Sequence, residues 1–176
     1  MATLFARYCR DSDAWSEATE SYVPLDVIRD LANPNRMCSV WRVEDELDSP
    51  DLIRIAAAMQ RGRKSANAVT LRFISKHYID KHKLKIDQTP GDSLDTVLNG
   101  SNIHCELHLD TIETAICVAK GFIARQVKNG HIKVFTEGEI KQQLVRSIGE
   151  KRILIRSLTL ELVSSLVEGD FLKVQS

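Results

Sequence analysis

Apolar and polar positions alternate most cleanly over Ile103–Leu109. Ile103, Cys105, Leu107 and Leu109 interleave with His104, Glu106 and His108, the period of a half-buried strand. Weaker strand patterns run over Met37–Val43, around Val40 and Trp41, and over Asn67–Ile74. In the latter, Val69, Leu71 and Phe73 share one side and Thr70, Arg72 and Ile74 the other. His131–Phe135 and Phe171–Val174 read as short strands.

Helical spacing fills the intervals. Residues 12–32 read as two short helices. Ser12 or Asp13 caps the first, which carries Trp15, Ala18 and Tyr22. Pro24 opens the second, which carries Leu25, Ile28 and Leu31 and stops at Asn33-Pro34-Asn35. Ser49-Pro50-Asp51 combines a cap, a first-turn proline and a first-turn acid, and predicts a helix through Leu52, Ile55, Ala56 and Met59 that ends near Gly62. Asp110 with Glu113 predicts the start of a long helix. Its stripe is Ile112, Ala115, Ile116, Ala119, Ile123 and Val127, and Asn129-Gly130 closes it. Thr136 with Glu139 forms a second capping box before Ile140, Leu144 and Ile148. Residues 152–167 fit a helix through Ile155, Leu158, Leu162, Val163 and Leu166, and a strand through Leu158, Leu160 and Leu162. A helix that stops at Gly169 is the expectation. Pro90-Gly91-Asp92 and Asn99-Gly100 mark residues 88–102 as an exposed loop around a short turn at Leu94–Leu98.

This order predicts an α+β fold in which helices pack a mixed sheet of about four or five strands, with residues 103–135 as a crossover between parallel strands. At 176 residues the chain suits one domain. Residues 136–176 form a sub-region that resembles a winged helix-turn-helix in element order alone. Its second helix exposes Ser157, Thr159, Glu161, Ser164, Ser165 and Glu168, none of them basic, so only Arg152 and Arg156 are placed to reach phosphates.

Charge alters the picture more than composition does. The 24 Lys and Arg balance 24 Asp and Glu, yet they fall in blocks. Residues 61–86 carry eight cations against one acid. Residues 87–119 carry six acids and no Lys or Arg. Residues 120–156 carry nine cations against three acids. The first basic block holds Arg61, Arg63, Lys64, Arg72, Lys76, Lys81, Lys83 and Lys85, with His77, Tyr78 and His82 among them. The second includes Lys151, Arg152 and Arg156. Such blocks suit an acidic patch on another protein, a second copy of the chain, or nucleic-acid phosphates. They equally suit pairing with the acidic block inside the fold.

His104-x-Glu106-x-His108 is the sharpest constellation. Period 2 sets all three on one strand face, where imidazole and carboxylate suit a divalent metal and a metal-dependent hydrolase. Gly62-Arg63-Lys64-Ser65 lacks the spacing and the preceding strand of a phosphate-binding loop, and no nucleophile elbow or dinucleotide-binding turn occurs. Cys9, Cys38, Cys105 and Cys117 have neither zinc spacing nor disulfide-scaffold density. With no secretory leader or membrane-length apolar stretch in view, the expectation is a soluble, cytoplasmic, non-enzymatic protein that binds another macromolecule and needs no cofactor. Nucleic-acid binding is the alternative, and metal-dependent hydrolysis the second.

Overall fold

The computed structural model describes residues 3–9, 13–32, 35–44, 49–124, 132–169 and 171. Among them, six strands form one sheet: β1 Thr3–Cys9, β2 Met37–Glu44, β3 Val69–Ser75, β4 Ile86–Gln88, β5 His104–His108 and β6 Ile132–Phe135. Their order is β4-β5-β2-β1-β3-β6, and every neighbouring pair is antiparallel. Eight helices cover the sheet: α1 Asp13–Glu17, α2 Leu25–Leu31, α3 Pro50–Ala58, α4 Lys76–Lys81, α5 Thr96–Gly100, α6 Ile112–Ile123, α7 Glu137–Gly149 and α8 Leu160–Glu168. The fold is therefore α+β, as expected. None of these helices is long and apolar enough to cross a membrane.

Each face of the sheet carries its own core. On one face Leu4, Ala6, Trp41, Val43, Leu71 and Phe73 pack with Leu52 and Ile55 of α3, Ile140 and Leu144 of α7, and Leu162 and Leu166 of α8. On the other face Phe5, Cys9, Val40, Ile74 and Leu107 pack with Trp15 of α1, Val27 and Leu31 of α2, Tyr78 and Ile79 of α4, and Val118 and Phe122 of α6. A strand buried on both sides loses the alternation that marks a half-buried one. That is why β1, next to the sheet's middle, escapes the sequence pattern, which begins with helices instead.

Local chemistry sets several element ends. The Ser49 hydroxyl accepts from the Asp51 N–H at 3.3 Å and Pro50 opens α3, which ends at Ala58, short of Gly62. Thr136 and Glu139 form the expected capping box of α7. The cap of α6 is Thr111, whose hydroxyl accepts from the Thr114 N–H at 3.2 Å, and Asp110 stays outside. Its buried stripe is Ala115, Val118, Ala119 and Phe122, and Ile112 is exposed. The stripe is thus turned about one residue from the expected one.

Residues 88–102 are largely exposed, as expected, but the short turn at their centre, which holds α5, is anchored inward. Leu94 and Leu98 are buried, and the Leu94 N–H donates to Ala58 O at 3.1 Å. Asp95 is only 1% exposed and caps α5, its Oδ1 accepting from the N–H groups of Val97 and Leu98. The basic stretch after β3 holds α4, capped by Ser75, and the short edge strand β4. The successive antiparallel pairings make β5 and β6 run the same way, as a crossover requires, but β2, β1 and β3 lie between them. Over 152–167 the helix prevails as α8 from Leu160, after a single 3-10 turn at Ile155–Ser157. The expected features at Ser12, Asn33-Pro34, Val127, Asn129-Gly130, His131 and 172–174 lie outside the described residues.

Candidate functional site

The β1–β2 ladder runs from Thr3 opposite Glu44 to Ala6 opposite Trp41, and stops. Beyond that point β1 continues on β3 alone, to Cys9 opposite Thr70. β2 continues on β5 alone, to Met37 opposite His108. Two central strands therefore part. The Arg7 guanidinium bridges the opening, donating to Ser39 O at 3.0 Å and to the Asp30 carbonyl. Above the parted seam lies a cleft of about 760 Å³, within the range of small-ligand sites.

Its floor comes from adjoining strands. Trp41 and His104 are a registered cross-strand pair, with ring centroids 4.9 Å apart and planes at 61°. Ser39 and Glu106 are the next registered pair but one, on the same face. Tyr8 completes the floor from β1. His104 Nδ1 meets Thr89 Oγ1 at 2.9 Å. Burial pushes the His104 imidazole below its ordinary value, against the opposing pull of Glu106 and of backbone contacts at Thr89 and Pro90. Burial thus favours the neutral form of the ring.

Two connectors form the walls. In one, Pro90-Gly91-Asp92-Ser93 lies so close to the indole that a Cβ on Gly91 would stand 2.8 Å from Trp41 Cη2. Asn99 fixes this segment, accepting from Ser93 N at 2.9 Å and donating to Ser93 O at 2.9 Å. In the other, Gly62 takes the left-handed conformation (φ 71°), which suits a residue without a Cβ. Buried Gln60 accepts from Asn67 N at 3.2 Å, the Arg63 N–H donates to Gln60 O at 3.0 Å, and Arg63 O accepts from Thr159 Oγ1 at 2.6 Å. The Arg63 guanidinium lies 5.8 Å from the Tyr8 ring centroid and donates to the Tyr8 hydroxyl at 3.3 Å. Arg61 pairs with Asp92, joining the two walls.

The other cations named from the sequence do not form one surface. Arg72 is buried against the Trp15 ring at 4.8 Å. Lys76 pairs with Asp80 at 2.7 Å and Lys85 with Asp87 at 3.7 Å. Lys64 stands 4.0 Å from Glu161, its side chain 84% exposed. Lys81 and Lys83 are exposed. Lys151 and Arg156 are exposed far along the chain, and Arg152 pairs with Glu150 at 2.9 Å. The basic block thus pairs in part with the acidic one that follows it, through Arg61–Asp92 and Lys85–Asp87.

His104, Glu106 and His108 do share a strand face, but the two imidazoles are held by different partners, Thr89 and Asp87. His108 Nε2 meets Asp87 Oδ2 at 2.7 Å, which holds the Asp87 carboxyl below its usual range with help from Lys85. No group of three ligating side chains suited to a metal comes together among the described residues. Sequence reading names Arg61, Arg63, His104 and Glu106 of the cleft and misses Tyr8, Ser39, Trp41 and Thr89 as site residues.

Comparison with protein-family models, with curated proteins and with solved structures gives no match.

Proposed function

We propose that this is a non-catalytic, cytoplasmic binding protein that captures an acidic segment of a partner protein on the basic connector at the mouth of the cleft. The observation behind it is the state of Arg63 and Lys64. The connector that presents them is held by Gly62, Gln60 and Thr159. Among the described residues Arg63 has no carboxylate within ion-pair distance, and Lys64 has only the distant, exposed Glu161. An exposed pair of this kind contributes little and exchanges readily. A connector whose backbone is already held loses less freedom when an anion arrives. Four free thiols suit a reducing compartment.

The test is recovery of the tagged protein from its native extract, with nuclease, beside a variant carrying Arg63→Glu and Lys64→Glu. The reading expects a stoichiometric protein that survives nuclease and is lost from the variant, whose melting temperature stays close to that of the parent. Capture indifferent to the double change contradicts it. Material lost on nuclease treatment points instead to nucleic acid, whose binding falls steeply with salt.

A further inference from the structure

The charges lining the cleft do not all neutralise one another. Arg61 and Asp92 pair across its mouth. Arg7 is committed to the carbonyls of Ser39 and Asp30. Two opposite charges remain, Arg63 on one wall and Glu106 on the floor, both half-buried. Among the described residues neither has an ion-pair partner. The two rings that flank Glu106 on β5 are bonded elsewhere, His104 to Thr89 and His108 to Asp87. A half-buried charge without a partner gives up hydration for little return.

We infer that the cleft is a site for a small zwitterion, an amino acid or short peptide, whose carboxylate is held by Arg63 and whose ammonium group is held by Glu106. Glu106 on β5 is registered with Ser39 on β2. Tyr8, the residue beneath Arg63, follows across the parted seam. Arg63 and Glu106 thus stand on opposite sides of the parted seam and line the same cleft. An amino acid or short peptide carries a carboxylate and an ammonium group in one molecule, and gains a charge-assisted hydrogen bond at each end. The Trp41 and Tyr8 rings add apolar lining to the same cleft. The pair also discriminates. A simple anion meets Arg63 and is repelled by Glu106, and a simple cation meets the reverse, so only a ligand carrying both signs satisfies both. This site shares Arg63 with the basic connector, but its Glu106 pole plays no part in partner capture. Glu106→Gln leaves Arg63 and Lys64 untouched, so the two readings fail separately.

Calorimetric titration of the purified protein tests it, with the L-amino acids and a set of dipeptides as probes, and acetate and putrescine as single-charge controls. At least one zwitterion is expected to bind at about 10 mM or below. N-acetylating its amine or amidating its carboxylate each weakens binding by about tenfold or more. Glu106→Gln abolishes the effect of acetylation, and Arg63→Met abolishes the effect of amidation. The capped probes need no variant, so a folding defect cannot obscure the result. No binding by any zwitterion at about 10 mM, or equal binding of the capped and free forms, overturns the inference.

Discussion

Tyr8 on β1 and Ser39 on β2 occupy the positions of the next ladder pair but one after Ala6 and Trp41, on the same face, yet they are not paired. Their separation creates the cleft, and Arg7 holds its depth by donating to the Ser39 and Asp30 carbonyls. Arg7→Met removes a charged donor from both and leaves the carbonyls short of a partner. A loss of about 2 kcal/mol in unfolding free energy is expected in urea titration. A loss under about 0.5 kcal/mol would show that Arg7 does not hold the seam.

His104 makes stability depend on pH. Its folded-state value is depressed, chiefly by burial. Between that value and the ordinary histidine value of about 6.5, the unfolded chain binds more protons than the folded one. Stability contributed by the neutral ring is therefore complete above about pH 6.5 and is lost as pH falls through the depressed value. Melting temperature is expected to drop between pH 7.5 and pH 5 (both about one unit or more from the ordinary value). His104→Asn, which keeps a hydrogen-bonding group near Thr89, should flatten that drop. An unchanged slope in the variant would assign it to other groups.

Gly121 on α6 lies against Ile74 and Tyr78, where an added Cβ would contact Ile74 Cδ1 and stand 2.8 Å from Tyr78 Cε1. Gly121→Ala gains helix propensity but forces both neighbours to move. Overpacking prevails, at a cost of about 1–3 kcal/mol in denaturant titration. A stabilised variant would mean that α6 stands further from the sheet.

Burial pushes the thiols of Cys9, Cys38 and Cys105 up, so the reactive thiolate is suppressed. Cys117 is the one of the four that is partly exposed. Timed alkylation of the native protein, read by mass spectrometry, should label Cys117 first and the other three at the rate of opening. Early labelling of Cys9 or Cys38 would contradict the packing around the seam.

The legible parts of the fold are those written in short-range chemistry. Ser49-Pro50-Asp51 and Thr136 with Glu139 each settle a helix start within four residues, and the structure keeps both. Where two cap-competent residues adjoin, as at Asp110 and Thr111, packing decides, and α6 turns its Val118 and Phe122 inward. β1 is illegible because Leu4 and Phe5 bury on opposite faces. Leu94 and Leu98 sit among turn formers that conceal their burial.

The site shows the same divide. Arg63 stands out as part of a basic block, and Glu106 and His104 as part of a ligand-like strand. That these two features border one cleft follows from the end of the β1–β2 ladder, a pairing between residues more than 30 apart in the chain. No local pattern encodes it.

Hydrogen exchange of the seam amides tests the parted ladder most directly. The Arg42 N–H donates to Ile103 O, so even-numbered residues of β2 turn their backbone groups to β5, and the odd ones, Ser39 and Trp41, face β1. Ala6 and Tyr8 face them in return. The account predicts that Ala6 and Trp41 exchange slowly, while Tyr8 and Ser39, beyond the last pair, exchange faster by about two orders of magnitude or more. Equal protection of all four amides would show that the ladder continues through Tyr8 and Ser39, and the cleft would then be closed.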